Sequence, residues 1–544
     1  MKDSHSGSLL DLPKRTFIRR TQDYESNTLD RMCHFEQMKR MTQGIYKRGF
    51  FNSKFSDVTI EALGMKYQLH RIILVQNSFF AGMLDGSWAE SDKRTINLTF
   101  DDPHITLEGV NAVFARIYGQ FEVRLHPKNV FSIMAAASYF NDSDLLDICT
   151  TYIIDSITKE TVVDSIGFIV ASYYGINSDA IIEAIFTFLC REGFADLKEV
   201  FAQLPLSWFE RIVASDCFCV PSEYERYCFI RDVIELRQKR SDRTKTGHRP
   251  LSLADSALDL SSLSLASSDS SETSGSTSAS DGSEGESEET TFRDMLSYGV
   301  VYSHMRFDQL LQIRGDGFAP AHVLEKAFWT QQEFRCLIEG SAEHITTLGI
   351  QYDVDVSKDT SDPSPSEVLI PSGDTDKIDE KQVSGVLEGS IYAHSRVRFP
   401  PFRFSLEAAD ENRIHRGDRV YSKTQFYAGS YWIVYIQKLV AQGSSKLGIY
   451  LQRWAQDEEP EIEDPHASAS HRVSVYVDRR EEVQTWFQLY CFISDQCFIL
   501  ESKPDLFKNT QSWGWRSSKL LKVWTDSAAP GPHTIKISVV MGHV

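Results

Sequence analysis

Apolar positions along the chain follow three successive periodicities. From Ser56 they alternate with polar ones, which predicts a strand over Ser56–Ile60, a turn at Leu63-Gly64 and a partner strand over Met65–His70. The spacing then turns helical, with Ile72, Ile73, Val75, Phe79, Phe80 and Met83 predicting one helix over His70–Met83. A third strand is expected at Thr95–Phe100 and a short one at Phe121–Leu125. Helices are expected across Leu107–Ile117, Asn129–Tyr139 and Ser143–Ile154. From Thr161 the pattern stays helical, with core-facing stripes at Val162, Ile166, Ile169 and Val170 and at Ile181, Ile182, Ile185, Phe186 and Leu189. Val200–Leu204 and Trp208–Val213 continue it. Ser222 and Glu225, at capping-box spacing, announce a further helix. Helices resume around Tyr298–Ile313 and Ala321–Ile338, where Phe328-Trp329 reads as core rather than as a binding surface. From Val397 the period returns to two. Phe402–Glu407, Trp432–Gln437, Leu447–Gln452, Val473–Val477 and Trp486–Cys491 read as the strands of a β-sandwich.

Two stretches interrupt these patterns. Residues 251–290 contain 15 serines and nine acids, with no Lys or Arg between Arg249 and Arg293. Such a composition cannot bury enough apolar surface to offset chain entropy, so an insert over about 245–292 is expected to be disordered. Its serines beside acids suit an acid-directed kinase, or simply a solvated insert. Residues 353–380 hold nine acids against Lys358 and Lys377, together with Pro363, Pro365 and Pro371, and read as a linker. The expected fold class is multidomain α+β. It comprises a tail or helix at 1–42, an α+β domain at 43–158, a helical region at 159–340, an acidic linker at 341–390 and an all-β sandwich at 391–544.

The chain has 544 residues and a formal net charge of −19. That balance opposes a nucleic-acid surface, which needs cations facing phosphates. The charge is unevenly placed, however. The two polar stretches and the six acids between Asp457 and Asp464 carry nearly all of it, and the remainder is close to neutral. The stronger argument against nucleic acid is therefore that the folded blocks hold no basic nucleic-acid motif. The run from Arg237 to Arg249 is either a nuclear-import signal or the solvated end of a helix. No apolar run reaches membrane-spanning length, and the N-terminus has no apolar core of signal-peptide length. Scattered, odd-numbered cysteines read as reduced thiols. The Cys217-Phe-Cys219 pair with Cys228 lacks the second pair a zinc site needs. No phosphate-binding, nucleophile-elbow or metalloprotease motif occurs, which implies no enzyme activity, no metal and no cofactor.

Phe55-Ser-Asp-Val58, Leu69-His-Arg-Ile-Ile-Leu74, Ser78-Phe-Phe-Ala-Gly-Met-Leu84 and Ala135-Ala-Ala-Ser-Tyr-Phe140 occur in the order and spacing of the BTB/POZ domain, which the first block resembles. In that family the residues at Asp57, His70 and Arg71 sit together. With no nucleophile nearby, a structural hydrogen bond under a loop is expected rather than a catalytic dyad. The resemblance implies an interaction module that forms homodimers through its first helices. Many such domains bind a class-3 cullin through a hydrophobic-x-Glu motif following the helix that ends in the family's Met, here Met83. Trp88-Ala89-Glu90 stands at that place. The aromatic would anchor in an apolar pocket and Glu90 would pair with a base. Alternatively, Trp88 caps the core and Glu90 faces solvent.

Leu204-Pro-Leu-Ser-Trp-Phe-Glu-Arg-Ile-Val213 with Val220-Pro-Ser-Glu223 resembles the BACK domain. Tyr427-Ala-Gly-Ser-Tyr-Trp432, Leu447-Gly-Ile-Tyr-Leu-Gln-Arg453 and Ser512-Trp-Gly-Trp515 resemble a MATH/TRAF-like sandwich. Together with Gly86-Ser-Trp-Ala-Glu-Ser91 and the run Val300–Gln312, the whole is similar to the germ cell-less family. That resemblance implies a dimeric substrate adaptor of a cullin ubiquitin ligase, with its substrate protein on the C-terminal domain and a cytoplasmic, nuclear or nuclear-envelope location. A dimeric scaffold or transcription-associated protein that binds no cullin is the alternative.

Overall fold

The computed structural model describes residues 36–85, 93–246, 283–340, 399–410, 418–441, 444–454, 476–493, 496–526 and 534–544. The chain divides into two compact units, one up to Tyr152 and one from Ile153 onwards.

In the first unit, a helix over 36–45 (α1) runs into a wider turn at Tyr46–Phe51. Strands β1 (Val58–Ala62) and β2 (Met65–Leu69) form the expected hairpin. Its two-residue turn has positive φ at both Leu63 (50°) and Gly64 (78°), the twist that matches paired strands. Strand β3 (Thr95–Leu98) joins β1 in parallel, giving the order β2-β1-β3. The single helix expected over His70–Met83 is two, α2 (Arg71–Leu74) and α3 (Ser78–Leu84). Asn77 separates them. Its side chain accepts from the N–H groups of Phe79 and Phe80, capping α3, and donates to the Phe140 carbonyl at 2.9 Å. Helices α4 (Leu107–Ile117), α5 (Val130–Tyr139) and α6 (Ser143–Asp155) follow as expected. Phe121–Leu125 forms no strand. Phe80, Phe114 and Phe140 pack as the centre of the core.

The second unit begins with α7 (Val162–Ala171), α8 (Ile176–Asp196), α9 (Lys198–Phe201), α10 (Leu206–Ala214) and α11 (Glu223–Thr246). At the start of α11 the Ser222 hydroxyl donates to Glu225, so the pair at capping-box spacing is joined. Helix α12 (Ser283–Tyr298) begins within the stretch expected to be a disordered insert, overlapping it over residues 283–292. Met295 and Leu296 are buried, and Glu288 pairs with Arg237 at 3.0 Å, contacts a sequence average does not register. The basic run beginning at Arg237 continues α11 as far as Thr246. The helix expected over Tyr298–Ile313 is interrupted after Tyr298 and resumes as α13 (Phe307–Asp316), followed by α14 (Ala321–Gly340).

Strands β4 (Phe402–Asp410), β5 (Arg419–Tyr421), β6 (Gln425–Tyr427), β7 (Ser430–Ala441), β8 (Ser444–Trp454), β9 (Glu482–Ile493), β10 (Gln496–Glu501), β11 (Asp505–Lys508), β12 (Ser512–Ser517) and β13 (Thr534–His543) form two antiparallel sheets. One runs β10-β9-β13-β4 with β11 beside β9. The other runs β12-β8-β7-β5 with β6 beside β7. This is the expected sandwich. Tyr476 and Val477 lie outside any strand, while the rest of the strand expected there and the acidic run Asp457–Asp464 fall outside the described residues. The β6–β7 turn needs a glycine. Gly429 has φ 75°, and a Cβ there would stand 2.4 Å from the Asp478 amide nitrogen. Helix α15 (Ser518–Asp526) closes the core with Leu520 and Trp524, and Phe334 and Ile338 of α14 enter the same core.

Candidate functional site

Asp57, His70 and Arg71 meet at the start of α2, but not as a dyad. Asp57 accepts the Arg71 amide N–H at 2.8 Å, so a carboxylate from the strand side caps this short helix. The His70 ring lies between other partners. Its Nε2 is 2.7 Å from the Lys54 carbonyl, which can only accept. Nε2 therefore carries the proton, and Nδ1 accepts from the Tyr118 hydroxyl at 2.9 Å. That hydroxyl in turn receives the His70 amide N–H at 2.8 Å. Burial raises the Tyr118 phenol above its ordinary value, keeping it a donor. With both ring nitrogens engaged, the His70 ring ties the 46–55 segment to α2 and to Tyr118. Tyr118 had no local sequence signal, since it lies 48 residues from His70.

The surface around this tie exposes several apolar side chains among lysines and arginines. Phe55 follows Lys54, has φ 69° and is 92% exposed, and Ile72 and Phe51 are also largely exposed. Met38 and Met41 of α1 face solvent as well. A first helix and loop carrying this much exposed hydrocarbon is a ready contact for another protein. Met83 is half-buried on α3. Trp88 and Glu90 lie outside the described residues.

The second unit holds a buried charge cluster the sequence did not announce. Arg403 of β4 donates through Nε to Glu223 at 2.7 Å and through Nη1 to Asp216 at 3.0 Å, and also to the carbonyls of Ala214 and Gly299. Burial works to raise the Glu223 carboxyl, but Arg403 and Arg226 hold it below its ordinary value. Lys536 of β13 adds a 2.6 Å pair with Glu192 of α8. These bonds join sandwich and helices into one body. Cys217 and Cys219 are buried and Cys228 is half-buried. Cys217 and Cys190 have their sulfurs 3.9 Å apart as free thiols, and burial pushes the Cys190 thiol well up. Among the described residues no group of three potential ligands is placed to hold a metal ion. Nor is any helix among them long and apolar enough to cross a membrane. Phe328 and Trp329, expected in the core, are exposed, because Leu324, Ala327, Phe334 and Ile338 take the buried side of α14.

The BTB/POZ domain family matches residues 47–157. The Drosophila melanogaster protein germ cell-less is 34% identical over 122 residues, 22% of this chain and 21% of that protein. The human germ cell-less protein-like 1 is 32% identical over 143 residues, covering 26% and 27% of the two chains. A Schizosaccharomyces pombe protein, BTB/POZ domain-containing protein 2, is 22% identical over 209 residues, 36% of this chain and 74% of its own length. The match thus spans about a quarter of the germ cell-less relatives.

Proposed function

We propose that this chain, which carries a BTB/POZ domain and is similar to germ cell-less proteins, is a non-catalytic, homodimeric adaptor that brings a substrate protein to a cullin ubiquitin ligase. The reading rests on the BTB/POZ match at residues 47–157 together with the germ cell-less relatives. Three further features support it. The exposed residues Met38, Met41, Phe51 and Phe55 give the first helix and the loop after it apolar contacts for a second copy. The His70 ring hydrogen-bonds to the Lys54 carbonyl and the Tyr118 hydroxyl, which suits a structural part in holding the 46–55 segment. Trp88 and Glu90 supply an aromatic anchor and a charge directly after α3, with Met83 on the helix before them. The second unit would then carry the substrate, in the cytoplasm or the nucleus.

Affinity purification of the full chain tests this directly. Trp88→Ala combined with Glu90→Ala is expected to abolish cullin co-purification while light scattering still reports a dimer. Cullin recovered equally with wild type and variant would overturn the motif, and a wild-type chain recovering no cullin would favour the scaffold reading.

A further inference from the structure

Helices α13 and α14 carry an exposed strip that neither core uses. Phe307, Leu311 and Arg314 recur at i, i+4 and i+7 and are all exposed, so they share one face of α13. Phe307 packs against Phe328 of α14 with ring centroids 6.1 Å apart, and Phe328 meets Trp329 at 6.5 Å. Trp329 is 72% exposed and Phe307 58%. Clustered exposed aromatics of this kind are unusual on a surface that touches only water.

The Arg314 end of the strip opens on a cleft of about 970 Å3 between α11, α12 and the α13–α14 turn. Its floor is apolar, with Ile234, Phe292, Leu296, Phe318 and Leu324. Its rim carries three arginines and two glutamates. Arg237 is held by Glu288 at 3.0 Å, and Arg293 stands 3.6 Å from Glu289. Among the described residues Arg314 has no carboxylate partner, so the rim is left with one uncompensated cation beside an apolar floor.

We infer that this strip and cleft form a docking surface for an unmodified acidic peptide segment of another protein. Apolar or aromatic side chains of the segment seat on Phe307, Leu311, Phe328 and Trp329 and in the cleft, and an Asp or Glu pairs with Arg314. Tryptophan and arginine are residue types that dominate interface energetics, and the guanidinium donates two parallel N–H bonds to a carboxylate. The inference rests on the adaptor reading only for calling the segment a substrate, and it moves the substrate contact from the sandwich to the helical hairpin.

Random peptide display against the full chain provides the test, with cullin co-purification measured in parallel. Wild type should enrich peptides that combine large apolar residues with Asp or Glu. Trp329→Ala should weaken the selected peptides at least tenfold, and Arg314→Glu should do the same while enriching Lys or Arg in place of acids. Both sites are exposed, so the fold tolerates the changes, and cullin recovery should be unaffected. No enrichment, enrichment without acidic residues, or indifference to both variants would overturn the inference. So would a change of oligomeric state in Trp329→Ala, which assigns the strip to a second copy. Enrichment only after deletion of residues 251–282 would assign it to the chain's own acidic segment. Loss of cullin with peptide selection intact counts against the adaptor reading alone.

Discussion

Arg403 is buried on β4, and each partner it bonds lies at least 104 residues away in sequence. A lone arginine in an alternating strand reads as an outward-facing residue, and only the helices packed over it turn it into the centre of a charge cluster. The fully buried Glu223 depends on it. Arg403→Met is therefore expected to destabilise the second unit by about 3–5 kcal/mol, because a buried carboxylate loses its main counterion. Adding Glu223→Gln should recover part of that loss, since the amide oxygen still accepts the Val301 N–H bonded to Glu223 at 2.7 Å. Urea unfolding of the single and double variants measures both, and a loss below about 1 kcal/mol for the single change would show the cluster to be solvated. His70 teaches the same lesson. Its neighbour Arg71 and the helix start were readable from the sequence, but the hydroxyl of Tyr118 that fixes its tautomer was not.

Element by element, most helices and strands follow from periodicity, and the exceptions have local causes. Asn77 splits one expected helix because its side chain satisfies the first N–H groups of α3. Residues 283–292 escaped notice as helix because Ser and Glu dominate them, although Phe292, Met295 and Leu296 supply an apolar stripe. Helix α14 has the largest consequence. It is separated in sequence from the sandwich by the acidic stretch, yet Phe334 and Ile338 sit in the sandwich core with Phe399, Tyr427 and Trp432. A fragment over 391–544 lacks both side chains and should fail to melt cooperatively, whereas one over 321–544 should recover a cooperative transition. Thermal unfolding followed by circular dichroism distinguishes them. Equal melting of the two fragments would mean α14 is dispensable.

Across the whole molecule, the second unit contains histidines held neutral. Burial lowers His304 to about 4, with the Arg403 charge acting in the same direction and the Pro400 carbonyl and Glu223 opposing it. Burial also takes His543 well below its ordinary value, aided by Arg480 and Arg453. In the unfolded chain both would titrate near ~6.5. Their folded values are lower, so the unfolded state binds more protons between those limits. Stability is then complete above about pH 6.5 and falls as the pH drops towards 4. The urea midpoint should be clearly lower at pH 5 than at pH 7.5, and His304→Gln should flatten part of the difference. An unchanged slope in that variant would place the acid sensitivity elsewhere.

The sequence by itself determined the hairpin and helices of the first unit, the helical stretch after it and the sandwich at the end. Periodicity and turn chemistry are local, and each is written within a few residues. It also located the acidity in a few polar stretches. What only the tertiary structure decided was which of those elements share a core, and which side chains remain outside. Burying Phe334 and Ile338 of α14 in the sandwich core leaves Trp329 in solvent and Phe328 against Phe307. That outcome depends on partners distant in sequence, and no single-chain periodicity encodes them.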